Sequence, residues 1–290
     1  MRKIIFDCDN TFGLLNRDID DGLTLLYLLG APIVDLLGVT LTFGNARLTE
    51  VAKITQEMKK RFELAFDFYP AGMSDRSAAN FLVEQVNRYP NEITILATGA
   101  LTNLADAQEI DPAFFSKVHE IVLMGGTIEP LLVNQQKVAE LNFSSDPIAA
   151  KAVLLSQARI TVMNGHMTAE AFFSKKEMHE FLLSTTNVIT SEAQSWLSET
   201  LENWIKWNEK VFNFSGFCNW DVTTAVYLER PELFSDEYYF LSNEQPELSK
   251  GQMSLSDESK YIVKMPKKLL NISVFNQLVI KRMTAGLKSN

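Results

Sequence analysis

Four of the five aspartates within the first twenty-one residues constrain this chain more than any other feature. Asp7 and Asp9 follow directly on the apolar run 4–6, and Asp20 and Asp21 precede a leucine-rich segment. Because side chains alternate along a strand, Asp7 and Asp9 share one face of a strand that ends there. Carboxylates at a strand's end and at the start of the next helix converge on one crevice, where their charge is costly unless a cation neutralises it. Oxygen donors of this kind are those that Ca²⁺ and Mg²⁺ prefer.

The composition excludes several classes of partner. The chain has 290 residues, a net charge of −9 and a pI near 5.0, which argues against binding to nucleic acid or to an anionic membrane surface. The sequence contains neither an apolar run long enough to span a bilayer nor a signal-peptide pattern. Two cysteines, Cys8 and Cys218, cannot build a disulfide framework, so we expect a cytoplasmic protein.

Strand and helix patterns alternate along most of the chain. Strands are predicted at 3–7, 34–43, 93–97, 118–124 and 159–163, with short strands within 236–265. Helices are predicted at 21–30, 47–61, 77–88, 102–109, 147–155, from Asp221 onward and near 273–285, with one helical stretch over 169–212. This alternation predicts a single α/β domain over residues 1–290, with an open, mostly parallel sheet and helices on both of its faces.

Several polar residues fall at the predicted carboxyl ends of strands, where open α/β sheets bind their ligands. Asn45 follows the second strand and is either a turn residue or a contact for a substrate hydroxyl. Thr98 follows the strand 93–97, and its backbone carbonyl is a candidate neutral ligand for a hard cation. His166 also lies at such an end and is a weaker candidate for an acid.

Further candidates come from two later segments. Glu140 and Asn142 would share one face of an extended segment, either as site residues or as a solvated edge, and Asn134 lies in the loop before them. Asp221 precedes a predicted helix and could simply be its N-cap. Trp220 before it belongs either to the core or to a loop that faces a pocket.

One alternative follows from the amino-terminal motif itself. The stretch 5–11 also resembles the first motif of haloacid-dehalogenase-like phosphatases, in which Asp7 would be the nucleophile and Asp9 the acid and base. That family also needs a later paired-acidic loop, which this sequence lacks. Asp20 and Asp21 would have no role in such an enzyme.

Taken together, the motifs resemble those of the calcium-dependent nucleoside hydrolases, whose opening motif is DxDxGxDD. Asp7 and Asp9 match its first pair, and Asp20 and Asp21 its second. The resemblance continues in order with TFGN at 42–45, LATGALTNLADA at 96–107, IVLMGG at 121–126, AELNFSSDP at 139–147 and WDVTTAVYL at 220–228. It therefore covers about residues 3–230.

The resemblance implies hydrolysis of the N-ribosidic bond of a ribonucleoside. Asp9, Asp21, Asp221 and the Thr98 carbonyl would then hold Ca²⁺, with Asp7 close behind, and Asp9 would be the general base. The implied substrate contacts are Asp20 and Asn142 to the 2′ and 3′ hydroxyls, Asn45 nearby, and Glu140 and Asn134 to the 5′-hydroxyl. A homodimer or homotetramer is also implied.

Three departures from the family pattern set the expected specificity. About six extra residues lie between Asp9 and Asp20. Trp220 stands where pyrimidine-preferring and nonspecific members carry histidine, and purine-specific members have tryptophan there to stack on the base. The segment 72–80 is shorter than the family's base-side loop, so a second stacking partner is either missing or supplied from elsewhere, with Phe12 and the region 200–217 as candidates.

The sequence thus predicts a Ca²⁺-dependent nucleoside hydrolase that prefers purines, with Asp9 and Trp220 as its catalytic residues. Two alternatives remain at this point. They are the phosphatase, and a ribonucleoside-binding protein that keeps the metal and ribose contacts without turnover.

Overall fold

Parallel strands alternate with helices through most of the chain. The computed structural model describes residues 1–70 and 76–288. Its strands are β1 (Arg2–Cys8), β2 (Val34–Leu41), β3 (Phe68–Pro70), β4 (Ile93–Ala97), β5 (Glu120–Met124), β6 (Leu132–Val133), β7 (Gln136–Lys137), β8 (Ile160–Met163), β9 (Phe172–Ser174), β10 (Gly216–Cys218), β11 (Tyr238–Leu241), β12 (Leu255–Ser256) and β13 (Ile262–Lys264). Its α-helices are α1 (Asp20–Gly30), α2 (Leu48–Arg61), α3 (Ser77–Arg88), α4 (Thr102–Ile110), α5 (Phe114–Lys117), α6 (Asn142–Ser145), α7 (Pro147–Leu154), α8 (Gly165–Thr168), α9 (Lys175–Thr185), α10 (Ser191–Phe212), α11 (Val222–Glu229) and α12 (Ile272–Gly286).

Nine of these strands form one sheet in the order β12-β11-β13-β8-β5-β4-β1-β2-β3. β1 lies between β4 and β2 and is parallel to both, while β11 is antiparallel to β12 and β13 near one edge. The carboxyl ends of β1, β2, β4, β5 and β8 therefore meet along one edge of the sheet. The predicted open, mostly parallel α/β architecture is confirmed.

Alternate residues of β1 enter different hydrophobic cores. Ile4 and Phe6 pack with residues of α1, α10, α11 and α12 on one face of the sheet. Ile5 packs with residues of α3, α4 and α7 on the other face. All three side chains are fully buried, which explains why this strand reads as a continuous apolar run. Helices cover both faces, as predicted.

The prediction of one helical stretch over 169–212 is wrong, because this part of the chain is not a continuous helix. β9 occupies 172–174 and pairs with β10 as a two-stranded antiparallel sheet, and two separate helices follow it. Ser174 starts the first of these through a capping box with Glu177, and the Thr190 hydroxyl caps the second. These caps lie inside an apolar pattern that by itself looks continuous. None of the helices in the described part of the chain combines the length and hydropathy that a membrane span requires.

Helices α1 and α12 approach each other closely through two glycines. A Cβ atom added at Gly286 would lie 2.0 Å from the backbone oxygen of Leu26, and one at Gly30 would lie 1.9 Å from that of Arg282. The Arg282 guanidinium also binds the Glu229 carboxylate, which accepts a hydrogen bond of 2.8 Å from the Tyr27 hydroxyl. This packing fixes the helix that carries Asp20 and Asp21 in its first turn.

Replacement of Gly286 by alanine is predicted to destabilise the protein by about 1–3 kcal/mol, since the new methyl group meets backbone that cannot move aside. In most helices glycine-to-alanine replacement stabilises by roughly 0.5–1 kcal/mol, so the sign of the effect is diagnostic. Urea denaturation of the wild type and Gly286→Ala measures it. A more stable variant would show that the two helices are not in this close contact.

Candidate active site

The acidic residues meet at the carboxyl edge of the sheet. Asp7 and Asp9 lie at and just after the end of β1, Asp20 and Asp21 form the first turn of α1, and Asp221 directly precedes α11. All five side chains are buried. The sequence predicts that Asp221 joins the amino-terminal aspartates. One contact bears on this prediction: the backbone nitrogen of Asp221 donates to Asp20 Oδ2 at 2.8 Å, although the two residues are 201 positions apart.

Asp7 is held from two sides inside the sheet edge. Its Oδ1 accepts hydrogen bonds from the Thr40 hydroxyl at 2.6 Å and from the Asn103 amide at 2.7 Å. Its Oδ2 is buried and has no hydrogen-bond partner among the described residues. Burial raises the pKa of Asp7 to about 7, against the opposing effect of these two donors.

Asp9 is fully buried with one carboxylate oxygen engaged and one unengaged. The backbone nitrogen of Asn45 donates to Oδ2, whereas Oδ1 has no hydrogen-bond partner within the described residues. Burial raises the pKa of Asp9 to about 6. A Cβ atom added at Gly44 would lie 2.5 Å from Oδ2, and one at Gly99 would lie 3.1 Å from Oδ1. Glycines at these two strand ends therefore leave room for this carboxylate.

The remaining carboxyls are held by backbone and hydroxyl donors. Asp20 Oδ2 accepts from the Asp221 backbone nitrogen at 2.8 Å, and Asp21 Oδ1 accepts from the Thr98 hydroxyl at 2.6 Å. Burial raises the pKa of Asp20, and it raises the pKa values of Asp21 and Asp221 well above their usual range, with further increases from neighbouring carboxylates. Asp221 occupies the N-cap position of α11, but its side chain makes no capping hydrogen bond. The Asp221 carboxyl therefore belongs to the group of buried acids and does not cap the helix.

The donor set of this site consists of oxygen atoms, which suits a hard cation. No group of three or more acidic, histidine or cysteine side chains within residues 1–70 and 76–288 forms a ready-made set of metal ligands. Asp9 Oδ1 and Asp7 Oδ2 are buried acceptors without a partner, and such atoms need a donor or a cation. On these two oxygens and the chemistry of their neighbours, the residues fit a hard cation.

Glu140 and Asn142 are buried, but the extended segment predicted for them is wrong. Asn142 begins α6, and the Glu140 carboxylate accepts from the backbone nitrogens of Gly126, Phe143 and Ser144 at 3.0–3.1 Å. The four-residue α6 exposes amide groups that this carboxylate satisfies. The Asn142 amide nitrogen donates to the Met124 carbonyl at 3.0 Å. Neither residue is a solvated edge.

Asn134 lies apart from these residues. It is exposed in the β6–β7 turn, with a φ of +46°, and its amide nitrogen donates to the Phe212 carbonyl at 2.7 Å. None of the hydrogen bonds found for the described chain joins it to the acidic residues. Its predicted contact with the 5′-hydroxyl stays a prediction, as do the substrate contacts of Glu140 and Asn142.

Trp220 is half-buried directly before Asp221. Its carbonyl accepts from the Thr223 hydroxyl at 2.6 Å, and its indole takes part in none of the ring-to-ring contacts between described residues. Phe12, in contrast, is fully buried against Phe62 and Trp196, so the suggestion that it stacks on a base is wrong. Residues 72–75 of the short segment 72–80 lie outside the described residues.

Comparison with known proteins identifies the family. The model of the inosine-uridine preferring nucleoside hydrolases matches residues 69–283. The chain belongs to this family. An alignment of length 266, which covers 80% of this chain and 78% of the relative, is 31% identical to the probable uridine nucleosidase 1 of Oryza sativa subsp. japonica. An alignment of length 204, which covers 59% of this chain and 62% of the relative, is 28% identical to the inosine-uridine preferring nucleoside hydrolase of Crithidia fasciculata.

A solved structure supports the fold over the whole length. The purine-preferring ribonucleoside hydrolase from Gardnerella vaginalis superposes with a TM-score of 0.81, covers 99% of both chains and is 21% identical. At this identity the likeness shows the fold alone. The resemblance to nucleoside hydrolases and the prediction of an enzyme are confirmed by the family match, which decides against the phosphatase.

Four residues of this nucleoside hydrolase site did not stand out in the sequence. Thr40 and Asn103 hold Asp7, the Asp18 carboxylate accepts from the Asp20 backbone nitrogen, and Asn219 is fully buried with neither side-chain amide atom partnered among the described residues. Thr40 lies opposite Asp7 in the β1–β2 register, so strand alignment could have suggested it. Asn103 and Asn219 gave no such signal.

Without divalent cations, the free energy of unfolding is predicted to fall as pH rises from about 4 to about 8. The pKa values of Asp7 and Asp9 are raised in the folded protein, so the folded state binds more protons than the unfolded chain in this window and loses that advantage as the pH passes about 7 and about 6. Urea denaturation at a series of pH values with EDTA tests this. A flat or rising profile would contradict the burial of these carboxyls.

Proposed function

We propose that the enzyme hydrolyses the N-glycosidic bond of purine ribonucleosides to free base and ribose, with Ca²⁺ at the acidic residues. The observation that carries the proposal is the convergence of Asp9, Asp21 and Asp221 at the sheet edge, beside an indole that makes no ring-to-ring contact with any described residue. The family match supports the reaction. The base preference and the ion go beyond it.

Asp9, Asp21, Asp221 and the backbone carbonyl of Thr98 would hold the ion. When bound, Ca²⁺ supplies positive charge that offsets the carboxylates and lowers the pKa of a neighbouring water. The Thr98 hydroxyl, which donates to Asp21 at 2.6 Å, orients one of these carboxylates. Asp7 supports the group from behind through Thr40 and Asn103.

The chain's own residues account for the remaining steps. Asp9 accepts the proton of the attacking water through Oδ1, which no described residue engages. Asp20 accepts a ribose hydroxyl, and Asn142 contacts another through its amide oxygen because its nitrogen is held by Met124. The transition state is expected to be oxocarbenium-like, so the surrounding carboxylates stabilise its positive charge.

Replacement of Asp9 by asparagine tests the general base. Asn keeps the acceptor for the Asn45 backbone nitrogen but cannot take a proton, so kcat is expected to fall by about 10²- to 10⁴-fold. Release of hypoxanthine from inosine is followed with Ca²⁺ and with EDTA, and EDTA is expected to abolish wild-type activity. The matched control is Asp257→Asn, at an exposed position far along the chain. Full activity of Asp9→Asn, or of the wild type after removal of the ion, would refute this mechanism.

Trp220 is the determinant of the purine preference. A purine offers a larger ring face to the indole than uracil does, and stacking of one base on an aromatic side chain contributes about 1–3 kcal/mol. Trp220→Ala is therefore expected to lower kcat/KM for inosine roughly tenfold more than for uridine. Kinetics with both substrates, in the wild type and the variant, give this ratio directly.

A uridine preference is the second candidate, because the rice relative at 31% identity is described as a uridine nucleosidase. It predicts higher kcat/KM for uridine than for inosine in the wild type. That result would retain the reaction and the acidic site but reject the role given to Trp220.

A further inference from the structure

A cavity of about 310 Å³ lies between helix α10 and the loop that joins Asp9 to Asp20. The described residues that line it include neither the buried aspartates nor Trp220. Its volume lies in the range of pockets that take small molecules. The cavity is therefore separate from the candidate active site. Its walls are formed by Leu15 and Asn16 of the loop and by Asn203, Lys206, Trp207 and Lys210 of the helix.

Helix α10 supplies its wall as a single stripe. The four helical residues are spaced i, i+3, i+4 and i+7, so their side chains lie on one face of the helix. Lys206 and Lys210 are therefore one turn apart. The Lys206 ammonium is 3.4 Å from the Glu202 carboxylate in an exposed pair, which contributes little to stability and leaves the ammonium able to bind another anion. Lys210 has no ion pair or side-chain hydrogen bond with another described residue.

Trp207 presents a rigid aromatic surface beside these two lysines. Its ring stacks on that of Trp204, with centroids 4.7 Å apart and an interplanar angle of 10°. The Phe212 ring packs against it edge-on at 5.8 Å and 73°. These neighbours fix the indole, which is half-buried and borders the cavity. An aromatic side chain held in this way packs against a planar ring without losing further rotamer entropy.

The loop that forms the opposite wall is also fixed in place. The Phe12 ring is fully buried at 5.3 Å from that of Trp196 on α10. A Cβ atom added at Gly13, whose φ is +101°, would lie 2.6 Å from the Trp196 ring. Beyond these contacts the loop carries Leu15 and Asn16 to the cavity, where Leu15 is 70% exposed. The cavity is thus preformed, and an exposed leucine offers an apolar contact to a ligand.

This second wall is a feature of this chain. Leu15 and Asn16 lie in the segment that has about six residues more than the nucleoside hydrolase pattern. The charge of the cavity also differs from that of the whole protein. The net charge of the chain is −9, yet the cavity is lined by two lysines and by no carboxylate of a described residue. Because Arg17, the next residue of the loop, is exposed as well, positive charge is concentrated here and favours an anion.

We propose that this cavity binds a nucleoside monophosphate, with its base against Trp207 and its phosphate between the two lysines. A phosphate monoester carries a charge of about −1.5 to −2 at neutral pH, which two ammonium groups one turn apart match better than one would. The amides of Asn16 and Asn203 offer donors and acceptors to the polar edge of the base or to the ribose. The site is independent of the proposed hydrolysis, because none of the acidic residues lines it.

Isothermal titration of the full-length protein with AMP, in Ca²⁺ and at low ionic strength, tests the proposal. We expect saturable binding by the wild type and a Kd for inorganic phosphate at least about tenfold higher, because phosphate lacks the ring. Lys210→Gln removes one charge and is expected to raise the Kd for AMP about five- to tenfold. Trp207→Leu removes the aromatic ring and is expected to raise it roughly tenfold.

Lys176→Gln is the matched control for the loss of one positive charge. Lys176 lies on α9, its side chain is 77% exposed, and it pairs with Glu180 one turn away, as Lys206 pairs with Glu202. This variant is expected to bind AMP with the affinity of the wild type. An equal affinity of Lys210→Gln or Trp207→Leu and the wild type, or an equal loss in the control, would overturn the assignment of the ligand to this cavity.

Asp9→Asn separates the cavity from the acidic site. It alters the proposed ion ligands but no residue of the cavity, so its affinity for AMP is expected to equal that of the wild type. Binding that is lost in Asp9→Asn and kept in Lys210→Gln would place AMP at the acidic site and overturn the proposal. No saturable binding by the wild type, or phosphate bound as tightly as AMP, would do the same. None of these outcomes bears on release of base from inosine, which tests the proposed function separately.

Discussion

Burial of carboxylates at one sheet edge is the constraint on which the rest of this structure depends. Asp7, Asp9, Asp20, Asp21 and Asp221 are all removed from water, and charged groups in such surroundings raise the free energy of the folded state unless they are protonated, hydrogen-bonded or neutralised. The protein uses hydroxyl, amide and backbone donors for some of their oxygens. Two others, Asp7 Oδ2 and Asp9 Oδ1, have no partner among the described residues, and these are the atoms on which the proposed cation site depends.

The sheet topology makes this concentration of charge possible. With β1 between β4 and β2, and β5 next to β4, loops from four parallel strands open at the same edge. The glycines after β2 and β4 are as important as the acids, because side chains at Gly44 or Gly99 would meet the Asp9 carboxylate. The close packing of α12 on α1 then fixes the helix whose first turn supplies two of the acids. Helix α1 therefore contributes both to the packing that stabilises the fold and to the group of buried acids.

Much of the site was readable from the sequence, because strand ends and helix starts are local patterns. The placement of Asp9, Asp20, Asp21 and Thr98 followed from an apolar run that ends in acids and from a TG turn after the next strand. Other expectations failed where a distant contact decided the conformation. The Glu140 carboxylate accepts hydrogen bonds from backbone nitrogens of α6, and Phe12 packs against Phe62 and Trp196 in the core. Neither the cap nor the core contact is visible in the periodicity of the segment concerned.

The sequence by itself determined the alternation of strands and helices, the clustering of acids at the first strand and helix, and the family to which the chain belongs. Only the tertiary structure decided which donors hold the carboxylates, that Asn103 supports Asp7, and that the inserted loop packs against α10. The physical reason is the separation in sequence between the residues that come into contact. Periodicity and capping arise from neighbours a few residues apart, whereas Asp20 and Asp221 are 201 residues apart and Asp7 and Asn103 are 96 apart. Such pairs form only once the parallel strands have assembled into one sheet.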